Sequence, residues 1–156
     1  MYYSKEQLSV NQAAEKLWTL SNQSYSDGSP WSLEQFSLDL TQKTSDYLVL
    51  IDQEQWLGFV SYHLVLDEVE ITHVVINKDF QHQGYGSRLI DQLIQRFVEQ
   101  NVSQAFLEVR VSNSNAQKLY EKKGFKPINR RKNYYSHPKE DGVVMCLTVK
   151  EVKMSQ

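Results

Sequence analysis

Residues 70–98 read EITHVVINKDFQHQGYGSRLIDQLIQRFV, and this run contains a strand, a turn and a helix in that order. Together with Val69 just before it, the first part forms a strand-length segment, residues 69–76, that is apolar and rich in β-branched residues. The last part repeats apolar residues at helical spacing, namely Leu89, Ile90, Leu93, Ile94, Phe97 and Val98. Two glycines separated by one residue lie between them. We therefore predict a strand, a glycine turn, and a helix from near Gly84 to near Asn101.

The glycine turn is typical of an anion site. Gly84 and Gly86 let the backbone bend sharply and remove the Cβ atoms that would keep a ligand at a distance. The first N–H groups of the following helix have no partner within the helix, and such a helix start binds phosphates. A dinucleotide fingerprint would need a third glycine where Leu89 stands, and the Gly-Lys-Ser/Thr of a nucleoside-triphosphate loop is absent. A turn that only packs the helix on a sheet remains the alternative.

The composition is that of a compact domain. The chain has 156 residues, of which 40% are hydrophobic, so we expect one domain over residues 1–156. A formal net charge of −2 gives no basic field for nucleic acid. One cysteine cannot form an internal disulfide, and neither a signal peptide nor an apolar run of about 20 residues is present. These features predict a cytoplasmic protein without a membrane segment.

The first half of the chain predicts helices followed by antiparallel strands. A weak strand near Tyr2 and Tyr3 precedes a helix that Ser9 can cap, and Ser32 with Gln35 forms a capping-box pattern at a second helix. The period then changes to that of strands, at residues 47–51, 56–66 and 69–76. Three antiparallel strands therefore lead to the glycine turn.

The second half predicts a parallel strand and an irregular end. Residues 105–111 form a strand that should pair parallel with residues 69–76, because a helix connects the two. A short helix follows at 115–123 and ends at Gly124. Residues 125–135 contain Pro127 and predict an edge or irregular strand, and residues 143–149 predict a closing strand.

The strand at 105–111 carries a charge where a covered strand should be apolar. Alternation places Glu108 on the face opposite Leu107 and Val109. An ion pair with Arg110 or an exposed edge would explain this carboxylate structurally, and a base beside a cleft would explain it functionally. On the next helix Tyr120 shares an inward face with Ala116 and Leu119, which fits a core aromatic as well as a catalytic phenol. Asn113 is an N-cap candidate, with Asn115 as its competitor.

Several of these motifs together resemble one enzyme family. The Gln-x-x-Gly-x-Gly turn between strand and helix resembles the acetyl-coenzyme A loop of the GCN5-related N-acetyltransferase (GNAT) superfamily. Within it, the chain is similar to the bacterial ribosomal-protein-alanine N-acetyltransferase family. The matching segments are SPWS at 29–32, VLDE at 65–68, QHQGYG at 81–86, LEVRVSN at 107–113, LYEKKGF at 119–125, NYY at 133–135 and DG at 141–142.

The resemblance implies a fold and a set of roles. The implied fold is an α/β mixed sheet with antiparallel N-terminal strands and a parallel central pair that splays around the cofactor, flanked by helices. Glu108 is then the general base and Tyr120 the general acid. The implied acetyl-coenzyme A contacts are Val74, Val75, Ile76, Gln81, His82, Gln83, Gly84, Tyr85, Gly86, Ser87 and Asn113. The family usually has arginine where this chain has His82, which puts the strength of cofactor binding in question.

The implied reaction is direct acetyl transfer to a protein N-terminal amine, and the implied acceptor is the N-terminal alanine of a small-subunit ribosomal protein. An α-amine with a pKa of about 7.7–8.0 is easier to deprotonate near pH 7 than a lysine at about 10.4. A small-molecule amine or antibiotic as acceptor, and a non-catalytic acyl-coenzyme A sensor, are the alternatives. No metal is expected, since the histidines at 63, 73, 82 and 137 lack ligand spacing. We expect no nucleic-acid or membrane partner, and a monomer or weak dimer.

Overall fold

The computed structural model describes residues 1–136 and 138–154, which form one mixed sheet with helices on both faces. The elements are β1 Tyr2–Ser4, α1 Val10–Ser24, α2 Leu33–Leu40, β2 Ser45–Asp52, β3 Gln55–Val65, β4 Glu68–Ile76, α3 Tyr85–Glu99, β5 Gln104–Arg110, α4 Ser114–Lys122, β6 Lys126–Ser136, β7 Lys139–Thr148 and α5 Val149–Met154. Within this part of the chain, every helix is too short or too polar to span a bilayer.

The seven strands lie in the order β1-β2-β3-β4-β5-β7-β6. The pair β4–β5 is parallel, and the other neighbouring pairs are antiparallel. The predicted mixed sheet with a parallel central pair is therefore confirmed. β6 is an edge strand, as its proline suggested, and its pairing with β7 shifts register twice.

Helix α3 covers one face of the sheet. Its predicted apolar stripe is buried at Leu89, Ile90, Leu93, Ile94 and Phe97. This stripe belongs to the same core cluster as Ala105, Leu107 and Val109 of β5, which confirms the predicted alternation of that strand. Each buried leucine or phenylalanine side chain stabilises the fold by roughly 1.5–3 kcal/mol relative to an exposed one. The face of β5 that carries Glu108 consequently points away from α3.

Helices α1 and α2 cover part of the opposite face. Leu17 of α1 and Phe36 of α2 form a second core cluster with Val49, Phe59 and Val75 of the central strands. The predicted capping box at α2 is present, since the Gln35 N–H donates to Ser32 Oγ over 3.2 Å and the Ser32 N–H donates to Gln35 Oε1 over 2.8 Å.

Several element ends differ from expectation in their bounds or their capping. Ser9 stands at the N-cap of α1, but its side chain makes no capping hydrogen bond. The closing strand begins earlier than predicted, at Lys139, because it pairs along β6 as well as β5. It also ends one residue earlier, and the chain turns into the short helix α5, which the apolar pattern did not indicate. The Val149 N–H donates to Ser103 O over 2.9 Å at this turn.

Candidate active site

The two central strands separate, and the gap between them organises the site. β4 and β5 pair only from Glu68 with Gln104 to Glu70 with Phe106. Beyond these pairs β4 continues to Ile76 alongside β3, and β5 continues to Arg110 alongside β7. A wedge-shaped opening therefore widens toward the end of β4, where the glycine turn begins.

The free edge of β4 offers hydrogen-bonding groups to this gap. The Asn77 N–H donates to Leu57 O of β3 over 2.8 Å. Because successive main-chain groups of a strand point in opposite directions, those of Val74 and Ile76 face the gap. The Ile76 carbonyl accepts a hydrogen bond from the Gln81 side chain over 3.0 Å. Val75 differs, since its main chain faces β3 and its side chain is buried in the second core cluster.

The glycine turn places the start of α3 at the wide end of the gap. Gly84 is the N-cap residue with φ +87°, and a Cβ there would meet nothing within 4 Å. The Arg88 N–H makes the first helical bond, to Gly84 O over 3.2 Å. The N–H groups of Tyr85, Gly86 and Ser87 precede it and have no acceptor within the helix. This helix start provides positive partial charge and unpaired donors for an anion.

The side chains of the turn differ in their surroundings. Gln81 is half-buried and fixes the turn to β4, whereas His82 and Gln83 are exposed. His82 adopts φ +63°, a left-handed conformation in which its imidazole stands in solvent. Arg88, which the sequence reasoning missed, lies one helical turn further on with its guanidinium 5.4 Å from the centre of the Tyr85 ring. This arginine supplies a cation close to the helix start.

Glu108 lies beside the open part of the gap. Its side chain is 26% exposed, and its Oε1 accepts a hydrogen bond from Arg131 Nη1 over 2.9 Å. Its Oε2 is buried and finds no hydrogen-bond partner within the described residues. Buried carboxylate oxygens are normally hydrogen-bonded, so this oxygen can take a donor that the described residues do not supply.

The suggested ion pair between Glu108 and Arg110 is wrong. Arg110 instead pairs with Glu140 of β7 over 3.2 Å and stacks on the Tyr135 ring at 4.3 Å. The neighbouring strand β7 brings a second carboxylate to Arg110, which frees Glu108 for a cation from the edge strand β6.

Tyr120 contributes a phenol from α4. The residue is 7% exposed, and its ring lies 5.8 Å from that of Phe125. Burial raises the pKa of Tyr120 above its usual value, and the hydroxyls of Tyr25 and Tyr135 add to the effect. The phenol is therefore neutral at physiological pH and can donate a proton.

Two further tyrosines surround this phenol. Burial raises the pKa of Tyr135 to about 12, with the Glu108 carboxylate as the second cause. Burial also raises the pKa of Tyr25, and Tyr135 contributes. Three phenols and one carboxylate thus influence one another from α4, β5, β6 and the segment after α1. Sequence reasoning missed Tyr25 and singled out Tyr135 only as part of a motif, because neither stands in a periodic pattern.

Asn113 has a structural role at the start of α4. Its Oδ1 accepts a hydrogen bond from the Ala116 N–H over 3.1 Å, so Asn113 rather than Asn115 is the N-cap. The residue is exposed and lies in the short connection between β5 and α4.

A buried histidine that the sequence did not single out lies on the α1–α2 side of β4. His73 is 2% exposed, shares a 2.7 Å hydrogen bond with Ser61 Oγ and contacts the Trp31 ring edge-on at 4.5 Å. Burial lowers the pKa of His73 to about 4, so the ring is neutral near pH 7. Its protonation would therefore oppose folding at low pH.

The described residues contain no cluster of three or more histidine, cysteine, aspartate or glutamate side chains placed to hold a metal ion. His137 lies outside the described residues. The acidic residues Asp67, Glu68 and Glu70 stand at the closed end of the gap, where β4 and β5 pair, and not beside Glu108.

Comparison with known proteins gives consistent matches. A sequence model of the acetyltransferase (GNAT) family matches residues 10–125. The [ribosomal protein bS18]-alanine N-acetyltransferase of Haemophilus ducreyi is 37% identical over 123 residues, which cover 76% of this chain and 83% of that protein. The crystal structure of the ribosomal-protein-S18-alanine N-acetyltransferase from Escherichia coli matches with a TM-score of 0.84 at 27% identity, covering 96% of this chain and 94% of that one.

A polyamine enzyme has a similar fold. The spermidine/spermine N-acetyltransferase from Vibrio cholerae matches with a TM-score of 0.81 at 20% identity, covering 100% of this chain and 96% of that one. At this identity the match bears on the fold alone, so the architecture is compatible with acceptors of different chemistry.

Proposed function

The chain belongs to the GNAT family of acetyl-coenzyme A-dependent N-acetyltransferases, and we propose that its acceptor is the N-terminal alanine of ribosomal protein bS18. The observation that carries the proposal is the buried Glu108 Oε2, which has no partner among the described residues and faces the side of the sheet opposite α3. The ammonium group of an acceptor, or a water molecule bound to it, would supply the donor that this oxygen lacks.

Acetyl-coenzyme A supplies the reactive acetyl thioester, and the residues around the gap fit its parts. The N–H groups of Tyr85, Gly86 and Ser87 would bind the pyrophosphate at the helix start. The main-chain groups of Val74 and Ile76 would bind the amides of the pantetheine arm, with Val75 fixing the strand between them. Gln81, His82, Gln83 and Gly84 would shape the turn, and Asn113 would contribute from the far side of the gap.

Glu108 would act as the general base. At pH 7 an α-amine with a pKa of about 7.7–8.0 is mostly an ammonium ion, which cannot attack a carbonyl. Glu108 Oε2 would accept one of its protons directly or through a water molecule, leaving the nitrogen lone pair free. A positioned base of this kind contributes about 10² to 10⁴ in rate.

Tyr120 would act as the general acid. Its buried phenol keeps its proton even at alkaline pH and would give it to the sulfur that leaves with the coenzyme. The amine nitrogen would lose a first proton to Glu108 and a second one when the amide forms. The second proton would restore the Tyr120 phenol through solvent, and Glu108 would release the first proton to solvent. The raised pKa values of Tyr25 and Tyr135 keep two more neutral phenols near this proton path.

The protein acceptor is supported by relatives and by chemistry. The relative from Haemophilus ducreyi is named for the alanine of bS18, and the chain covers most of that protein. An α-amine is easier to deprotonate than a lysine, whose pKa is about 2.5 units higher. This difference in pKa corresponds to roughly 3.4 kcal/mol, so a carboxylate base is better suited to the α-amine.

The test is to incubate the protein with acetyl-coenzyme A and a set of acceptors, followed by mass spectrometry. The acceptors are purified ribosomal proteins, peptides that begin Ala-Arg or Met-Lys, and a peptide with only an internal lysine. We expect acetylation at the N-terminus of bS18 and of the Ala-Arg peptide. Acetylation of polyamines or aminoglycosides with none of these peptides would refute the proposed acceptor.

A further inference from the structure

The counter-ion of Glu108 comes from an unexpected place. Basic residues on an edge strand, such as those at 130–132, usually extend into solvent. Instead, Arg131 reaches from the edge strand β6 to Glu108, with 2.9 Å between Nη1 and Oε1. Its side chain is 50% exposed, whereas that of Glu108 is 26% exposed. A solvent-accessible cation therefore covers the outer oxygen of the proposed base.

The strand around Arg131 is held firmly. Asp141 of β7 accepts from Arg130 Nε over 2.7 Å and from the Asn133 N–H over 2.8 Å. The register between β6 and β7 shifts between Arg131 and Tyr135, and Asn133 adopts φ +53°. Asp141 thus binds the Asn133 main chain after Arg131 and the Arg130 side chain before it, while the Arg131 guanidinium extends to Glu108 and lies 4.9 Å from the centre of the Tyr134 ring.

We propose that Arg131 determines the class of acceptor, selecting peptide N-termini over polyamines. This inference rests on the proposed function, because it assumes that the acceptor ammonium approaches Glu108. The ammonium at Oε2 and the guanidinium at Oε1 then share one carboxylate and lie close together. An acceptor reacts well only if it also offers hydrogen-bond acceptors to the guanidinium, whose share of the carboxylate charge falls.

A peptide and a polyamine differ in this respect. The first residues of a peptide carry carbonyl oxygens next to the ammonium, and a guanidinium has five N–H donors for such oxygens. A polyamine carries further ammonium groups and no acceptor that could replace the carboxylate. Its added positive charge beside Arg131 opposes binding, since like charges repel at short range. Arg131 therefore favours the peptide twice, by donating hydrogen bonds to its carbonyl oxygens and by repelling the polyamine.

The experiment compares kcat/KM for an alanine-starting peptide and for spermidine in the wild type, Arg131→Gln and Arg130→Gln. Arg130 is the matched control, because it stands on the same strand and pairs with Asp141 rather than Glu108. We expect Arg131→Gln to lower the peptide-to-spermidine ratio about tenfold, equivalent to about 1.4 kcal/mol. Arg130→Gln should keep the wild-type ratio. Arg131→Lys, which keeps the charge without the planar fork, should give an intermediate ratio.

The outcome separates selectivity from structural support. If Arg131→Gln only disturbed the fold, kcat/KM for the peptide and for spermidine would fall by the same factor. A peptide-to-spermidine ratio equal to that of the wild type would therefore overturn the inference. The same holds if Arg130→Gln changes the ratio as much as Arg131→Gln does. Peptide acetylation by the wild type tests the proposed function by itself, so its failure is distinguishable from an unchanged ratio among variants.

Discussion

Replacing Glu108 by glutamine is the most direct test of the proposed base. The substitution keeps the size of the side chain, and the amide oxygen can still accept the Arg131 hydrogen bond that the carboxylate now accepts. The partner-free Oε2 loses no protein contact among the described residues. We therefore expect the free energy of unfolding to change by less than about 1 kcal/mol, as for a solvent-accessible ion pair.

The expected loss is in the chemical step. Removal of a positioned base lowers kcat by about 10² to 10⁴, or roughly 2.7–5.4 kcal/mol at about 1.36 kcal/mol per tenfold change. The loss should shrink at higher pH. An α-amine with a pKa near 7.8 is only about one-seventh neutral at pH 7 and almost fully neutral at pH 9. The rate of the variant should therefore rise about sevenfold over this range, because the acceptor no longer needs a base.

Initial rates on the alanine-starting peptide, measured from pH 6.5 to 9, check both expectations. Glu70→Gln is the control, because it makes the same chemical change at an exposed position of β4, near the closed end of the gap. Calorimetric titration with coenzyme A should give the same affinity for all three proteins. A Glu108→Gln rate within threefold of the wild type, with cofactor binding retained, would refute Glu108 as the base.

Three further changes test other parts of the site and fold. Tyr120→Phe keeps the packing against Phe125 and should lower kcat about 10²-fold or more with unchanged cofactor affinity. The rate of the wild type should not fall on the alkaline side below about pH 10, since burial raises the pKa of the phenol. Gly84→Ala forces a Cβ into φ +87° without a clash, so thermal unfolding should reveal a loss of about 1–2 kcal/mol, whereas an unchanged melting temperature would contradict the described turn. For His73, the pKa is about 4 in the folded state and about 6.5 in the unfolded state. As the pH is lowered from about 6.5 to about 4, the unfolded state binds the proton before the folded state does, so the protein becomes less stable. Urea unfolding at pH 7 and pH 4 should show a loss of about 3 kcal/mol from this group, which His73→Gln should remove; an equal loss in both proteins would assign it to other groups.

The sequence predicts the elements around the site because their periodicity is strong. The stripe of α3 and the alternation of β5 each follow from burial on one face, and both are confirmed in the structure. The capping box at Ser32 and the left-handed Gly124 after α4 are equally local signals. Local patterns of this kind place Glu108 and Tyr120 on the correct faces without any knowledge of the partners they meet.

The partners of Glu108 could not be predicted, because they depend on the registers of strands distant in sequence. Arg110 is two residues away on the same face, yet β7 brings Glu140 to it. Arg131 lies 23 positions further along the chain and reaches Glu108 from a strand whose pairing with β7 is interrupted. A shift of one residue in that strand would turn Arg131 to the other face. The same reasoning applies to Tyr25 and Tyr135, which approach Tyr120 from segments without periodicity.

The gap between β4 and β5 accounts for the charged residue that the sequence places in a covered strand. If the parallel pairing continued to Ile76 and Arg110, the main-chain groups of Val74 and Ile76 would be paired within the sheet. Glu108 would then lie in the middle of a continuous covered sheet, where an oxygen without a partner costs several kcal/mol. Because the strands separate after Glu70 and Phe106, the main-chain groups of Val74 and Ile76 instead face one opening, where Gln81 binds the Ile76 carbonyl, and Glu108 lies beside it. The fold therefore leaves hydrogen-bonding groups at the centre of the sheet without partners among the described residues. We propose that an acetyl donor and an amine together supply those partners.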